Sequence, residues 1–266
     1  MAVLYLNTLL ADNRDLMVRC VAFYNLENLF DTIHDEGKND YEYLPDGGMK
    51  WTSLKYTNKI QNMAYAIAQL GTDEDPRGAA IVGVSEVENI GCLHDLCKEL
   101  KEKHNRNYIP ILLEGPDRRG IDVGLLYNPD MFKPVGQPKG YELKAHYADG
   151  GVVRSRLQLW VSGYLLDDNR KIVMDKIHVS VNHWPSRSGG EESSRATRDT
   201  AAMLVKHVAD SIYMKEPRAK IIVMGDLNDD PYNNSCAVIM GAKKTREEVS
   251  EQGFFNTMWQ KLDRGV

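Results

Sequence analysis

The sequence predicts a layered α/β (α+β) domain. Three observations carry that expectation: short apolar runs of strand character recur along the chain, amphipathic segments at helical spacing lie between them, and several runs are apolar on consecutive positions. Consecutive apolar residues are what a strand needs when both of its faces are covered. Strands interleaved with helices pack as layers, with helices outside and sheet within. At 266 residues the chain fits one large domain or two modest ones and can bury a substantial core.

In chain order, residues 1–17 read as an N-terminal extension. Its MAVLYLNTLLADNRD has a short apolar stretch but no preceding basic residue and Asn7 within, so it matches a signal peptide only in part and the compartment stays open. The first strand is VRCVAFYN (18–25). Tyr56, Ile60, Met63, Ile67 and Leu70 then step by four and three toward Gly71, which predicts a helix over 53–70 with a glycine stop. The strand AAIVGVS (79–85) follows, and Leu93, Leu96, Cys97 and Leu100 mark a shorter helix. Four further strands are YIPILL (108–113), IDVGLLY (121–127), RLQLWVSGYLL (156–166) and KIHVSVNH (176–183). A helix over 194–213 presents Ala201, Leu204, Val205, Val208 and Ile212 on one face, with Pro217 beyond it, and KIIVMG (220–225) is the last strand. There is no internal repeat and no low-complexity linker.

Composition narrows the classes. Apolar residues at 42% and charged residues at 27% are ordinary for a globular protein. A net charge of −5 and a pI near 5.8 argue against a globally basic nucleic-acid binder, so any polyanion site must be local. Cys20, Cys92, Cys97 and Cys236 form no CxxC pair and no zinc spacing, and read as free buried thiols. No apolar run approaches the ~18 residues that span a bilayer.

The chemistry gathers at the C-terminal ends of four strands. VAFYNLEN delivers Asn25 and Glu27, VGVSEVEN delivers Glu86 and Glu88, VSVNHWPS delivers Asn182, His183 and Ser186, and VMGDLNDDP delivers Asp226 and Asn228. Ligands in open α/β sheets bind beyond the carboxyl ends of strands, so these groups can converge on one mouth. Carboxylates and amides without a second histidine or a thiol make a hard-oxygen environment that suits Mg²⁺, Mn²⁺ or Ca²⁺ over Zn²⁺. A divalent ion held by one or two carboxylates takes a substrate phosphate oxygen as a further ligand, and phosphoester hydrolysis follows.

Each element has a plainer reading. Residues 226–231 also read as an Asx-type turn, Glu86 as a solvated strand-end acid, His183 as a packing histidine beside Trp184, and Asn25 as a turn or cap residue. An EF-hand is excluded, because Pro231 replaces its glycine and Ala237 stands where its closing glutamate belongs. The coincidence of all four at strand ends favours a site.

Five ordered motifs, FYNLENLFD, VGVSEVEN, RRGIDVGLLYNP, VNHWPSRSGG and VMGDLNDDP, resemble the endonuclease/exonuclease/phosphatase (DNase I-like) superfamily over residues 18–235. The resemblance implies a four-layer αββα sandwich over residues 18–266 with the site at the rim where the sheets meet. It implies Mg²⁺ or Mn²⁺ held by Glu27, Glu86 and Asp226, with His183, Asp226 and Asn228 catalytic. Asn25, Arg119, Asp122 and Arg187 would contact substrate. Arg195 and Arg198 would either join Arg187 on phosphate or form salt bridges on a solvated helix face.

The family's closing Ser-Asp-His motif has no counterpart here; the only His-Asp pairs are His34-Asp35 and His94-Asp95. The expectation is therefore a C-terminally incomplete domain with reduced turnover and an open sheet edge prone to self-association or partner docking. The implied function is a metal-dependent phosphohydrolase, cleaving phosphodiesters by preference, on nucleic acid or a small phosphoester. The alternative is a non-catalytic domain of the same fold that binds a phosphorylated ligand or a protein. The acidic pI counts against a general nuclease, no membrane-inserting aromatic hairpin is visible, and DRRGID suits a pocket for a small phosphoester.

Overall fold

Among the described residues, eight strands are interspersed with four α-helices. They are β1 (Val21–Leu29), α1 (Ser53–Gln69), β2 (Ile81–Val87), α2 (Ile90–His104), β3 (Ile109–Leu112), β4 (Asp122–Tyr127), β5 (Phe132–Tyr141), β6 (Gln158–Leu165), β7 (Ile177–His183), α3 (Glu191–Tyr213), β8 (Lys220–Asp226) and α4 (Trp259–Asp263). This is a computed structural model that describes residues 17–146, 150–172, 176–187 and 190–265. The N-terminal extension, but for residue 17, lies outside the described residues, as do Ser188 and Gly189 of the VNHWPSRSGG motif.

The strands form two four-stranded sheets, ordered β1-β2-β4-β3 and β5-β6-β7-β8. Each contains one parallel pair, β1/β2 and β7/β8, and that pair lies at one edge of its sheet. Three apolar cores separate four layers. α1 and α2 pack Ile60, Ile67, Leu93 and Leu96 on Val82 and Val84 of β2. The two sheets meet through Ile81, Val123, Leu125, Val161, Val179 and Val181. α3 lays Ala201, Ala202, Val205 and Val208 over Trp160 on the far side. β2 and β7, sandwiched between layers, are buried almost throughout, which explains their unbroken apolar runs.

Local chemistry sets the helix ends. Thr52 Oγ1 accepts the Lys55 N–H at the start of α1, and Gly71, at φ 76°, turns the chain after it. Asn89 Oδ1 caps α2 by accepting the Cys92 N–H, and Asn105 closes it in the left-handed conformation. All four cysteines are free and buried.

The sequence reading missed β5. Its FKPVGQPKGY reads as loop, yet an edge strand tolerates proline where no ladder N–H is required. Val135 pairs with Ser162 and Lys139 with Trp160, so a bulge absorbs Gly136, Gln137 and Pro138 opposite the single residue Val161. At the other edge, every residue of β8 is partly exposed; Ile221 and Val223 face the α3 core while Ile222 and Met224 face the core between the sheets.

Candidate active site at the joint of the two sheets

The two parallel pairs bring four strand ends together. In one pair Asn25 sits opposite Ser85, the residue before Glu86; in the other His183 sits opposite Asp226. Glu86 is the extra residue of a bulge, since the step from Ser85 to Val87 in β2 matches the single step from Val123 to Asp122 in β4. Its φ of 59° is left-handed, a cost on the order of 1–3 kcal/mol that persists only where surrounding structure enforces it. A bulge of this kind re-aims the side chain. β1 slips likewise between Asn25 and Leu29, with Glu27 at φ 51° and Asn28 at φ 61°.

Gly225 makes the β7/β8 ends possible. At φ 147° a Cβ there would stand 2.0 Å from the Asn182 carbonyl oxygen, so no other residue fits this approach. The chain then turns at once. Asp226 Oδ1 accepts the Asn228 N–H at 3.1 Å, and Asn228 itself is left-handed at φ 52°.

Glu86, His183 and Asp226 each offer a ligand atom within 4.8 Å of the others. His183 Nε2 lies 3.8 Å from Glu86 Oε1. Asn25 bridges the carboxylates: its Nδ2 donates to Glu86 Oε1 at 3.1 Å and to Asp226 Oδ2 at 3.3 Å, while its Oδ1 accepts the Glu27 N–H at 2.7 Å. Both amide hydrogens of Asn25 are therefore engaged with the acids. Burial, reinforced by the nearby positive charges of Arg156 and Arg119, pushes His183 down to about 2, so the ring is neutral. Its Nδ1 is buried and has no partner among the described residues.

The remaining candidates divide. Asn228 lies beside the group, with Nδ2 donating to the Trp184 carbonyl at 3.0 Å. Arg119 flanks it, half-exposed at 49% and held loosely to Asp117 at 3.5 Å. Glu27 stands outside: its left-handed backbone turns the side chain to solvent, and its carbonyl accepts Lys59 Nζ at 2.7 Å. The expectation that Asp122 contacts substrate is corrected. It is 1% exposed, its Oδ1 accepts the Gly115 N–H at 2.9 Å, and burial pushes its carboxyl up to about 7.

Arg187 is likewise not a free phosphate donor. Its guanidinium donates to the Asn228 carbonyl and to Asp230, each at 2.9 Å, and so clamps the loop after β8. The solvated-face reading of Arg198 is corrected too, since it is fully buried and its Nε meets Asp229 at 2.6 Å. Arg195 follows the second of its two readings, pairing with Glu192 at the surface.

Two groups near the site gave no sequence signal. Lys59 comes from the polar face of α1 and is partly desolvated beside Glu27 and Glu86. Arg156 precedes β6 and is buried, donating to the Trp184 carbonyl at 2.9 Å and to Asp117 at 3.3 Å. Glu88 turns away from the cluster to accept the Asp31 N–H, and its carboxyl is pushed up to about 8 by burial.

A family profile described as the Endonuclease/Exonuclease/phosphatase family matches residues 20–266. The chain belongs to this family. Among solved structures it is similar to a family protein from Bacteroides thetaiotaomicron, at 17% identity over 83% of this chain and 66% of that one, with a TM-score of 0.52. It is similar to a mannosyl-6-phosphatase of the same organism at 16% identity, over 83% of this chain and 69% of that one, TM-score 0.51. A β-hairpin deletion mutant of Staphylococcus aureus beta toxin gives 14% identity, 83% and 71% coverage, and a TM-score of 0.50. At these identities the likeness is one of fold: the DNase I-like sandwich of two sheets with outer helices. No curated protein sequence matches. Members of the family are phosphoesterases, both nucleases and phosphatases. No described helix is long and apolar enough to cross a membrane.

Proposed function

We propose that the chain is a divalent-metal-dependent hydrolase of phosphoester bonds, phosphodiesters among them, working with Mg²⁺ or Mn²⁺. The observation that carries this reading is the meeting of Glu86 and Asp226, one from each sheet, with Asn25 donating to both. Two carboxylates and no thiol fit a hard cation, and the single imidazole beside them is neutral and fits a phosphoryl oxygen equally well. Glu86 and Asp226 would hold the ion. When bound, it would supply charge neutralisation at the phosphoryl oxygens.

The protein's own groups divide the remaining work. Asp226 Oδ1 is anchored by the Asn228 N–H, which orients the carboxylate to accept a proton from an attacking water. His183 presents Nε2 toward the same space as a hydrogen-bond donor to the phosphate. Asn228 commits one amide hydrogen to the Trp184 carbonyl, leaving the other for a phosphate oxygen. Asn25 acts as a positioning residue, its two donors keeping the carboxylates together against their mutual repulsion.

The test is hydrolysis of bis-p-nitrophenyl phosphate and p-nitrophenyl phosphate with Mg²⁺ or Mn²⁺, by the wild type, Glu86→Gln and Asp226→Ala. Activity should require metal, vanish in EDTA, and fall on the order of a hundredfold or more in each variant. Metal-independent turnover, or variants as fast as the wild type, would overturn the reading. Metal and phosphate binding with no hydrolysis of either ester would transfer support to a binding-only domain.

A further inference from the structure

We propose that the cleft beside the carboxylate cluster is a second anion subsite, and that the substrate is a small phosphoester carrying another phosphate or equivalent anionic group away from the scissile bond. This rests on the phosphoester reading above and deepens it by naming the substrate class.

The cleft has a volume of about 550 Å³ and opens just beyond His183, with Pro185 and Ser186 in its wall. Arg118, Arg119, Arg154 and Arg156 line it, against Asp117 as the one carboxylate among the described lining residues. Asp117 is already shared, at 3.5 Å from Arg119 and 3.3 Å from Arg156. Arg118 and Arg154 are exposed, and their guanidinium groups have no hydrogen-bond or ion-pair partner among the described residues. Four guanidinium groups against one acid is a concentration of positive charge in a chain whose net charge is −5. Such a surplus makes the local potential positive and favours an anion there.

Arg156 supplies an independent sign. It is 7% exposed, yet its Nε is buried without any partner among the described residues. A buried guanidinium N–H is nearly always satisfied, so an open one on a residue that lines the cleft is an unmet demand for an acceptor there. Arginine forks match phosphate and carboxylate oxygens bidentately. The shape then selects the ligand. A concavity of this volume matches the size of a small-molecule site, whereas a nucleic-acid strand needs a basic track along an extended surface.

The test is calorimetric titration of the full chain with inorganic pyrophosphate in EDTA at one ionic strength. It compares the wild type with R118A/R154A and R118K/R154K, whose thermal melts check that each is folded. The expected result is one site in the wild type, an affinity loss on the order of tenfold or more in the alanine variant, and partial recovery with lysine. No binding by the wild type, or equal affinity in the alanine variant, would overturn the proposal. So would a variant that loses affinity for a single-stranded oligonucleotide while keeping it for pyrophosphate, which would point to nucleic acid. Because the titration is metal-free, it stands apart from the hydrolysis test: pyrophosphate binding without esterase activity leaves the subsite and removes the proposed reaction.

Discussion

Replacing Arg198 by alanine should cost more stability than any other single charge removal on α3. Its side chain is 1% exposed and that of its partner Asp229 is 2% exposed, with Nε to Oδ1 at 2.6 Å. Its other nitrogens donate to Ser194 Oγ and to the Glu191 carbonyl. Truncation leaves the buried Asp229 carboxylate with the Ser235 hydroxyl, 2.6 Å from its Oδ2, and the Arg187 guanidinium farther off at 3.7 Å. Breaking one side of a buried pair costs roughly 3–5 kcal/mol. For a chain of this size that lowers the melting midpoint by about 6–20 °C, taking roughly 2–4 °C per kcal/mol. Arg195→Ala, three residues earlier on the same helix, removes a surface pair with Glu192 and should cost under about 1 kcal/mol. Urea denaturation of both variants, with the Arg198→Met/Asp229→Leu double variant to remove the stranded charge, gives the comparison. The double variant should recover much of the loss. Equal midpoints for Arg195→Ala and Arg198→Ala, or no recovery in the double variant, would refute the reasoning that this buried ion pair ties α3 to the segment after β8.

Three further outcomes follow from the geometry. Gly225→Ala should unfold the β7/β8 end or leave the protein insoluble, because the added carbon falls 2.0 Å from the Asn182 oxygen; a soluble variant with wild-type urea midpoint would contradict this. Asp122 holds its proton up to about 7 in the fold, against about 4 in the unfolded chain. The native state thus binds more protons between those values, and stability from this group is full below about pH 4 and lost as pH rises toward 7. Asp122→Asn, which keeps the acceptor for Gly115, should flatten that part of the stability–pH curve and be the more stable form at pH 8. Wild type and variant with parallel curves would refute it. Finally, β8 is an edge strand whose seven residues are all partly exposed, so sedimentation across a concentration series should show self-association; a monomer throughout would show that the edge is protected.

Helix periodicity and consecutive apolar runs made the helical faces and seven of the strands legible, because those signals are local and strong. β5 was not, since Pro134, Gly136, Pro138 and Gly140 are punctuation in any local reading and only an edge position makes them tolerable. The convergence of Asn25, Glu86, His183 and Asp226 was legible for a different reason: each lies at the end of a strand or where its regular pairing breaks, and parallel pairing makes those points neighbours. The arginines were not. Arg198 and Arg187 meet acids that lie 31 and 43 residues downstream, and Arg156 meets Asp117 from 39 residues away. Pairings at that separation exist only once the sheets are stacked. A basic residue flanking a strand reads as solvated until then.

The plainer readings of two of the candidate residues hold in the structure. Asp226 does make an Asx turn, through Oδ1, and Asn25 makes one through its own Oδ1. In both cases the turn uses one end of the side chain and leaves the other, Asp226 Oδ2 and Asn25 Nδ2, pointing into the cluster. The turn is thus what aims the second atom at the cluster. The same logic operates one level up. Read from their parallel edges, the sheets run β1-β2-β4-β3 and β8-β7-β6-β5, so each places its parallel pair at the same relative position. Glu86 and Asp226 come from opposite sheets, and their separation is set by the core between the sheets. At Gly83, three residues before Glu86, an added Cβ would lie 2.7 Å from Met224 Cε, two residues before Asp226. The sheets approach through a glycine and a pliable side chain right behind the two carboxylates, and that close packing is what brings both within 4.8 Å of His183 and of each other.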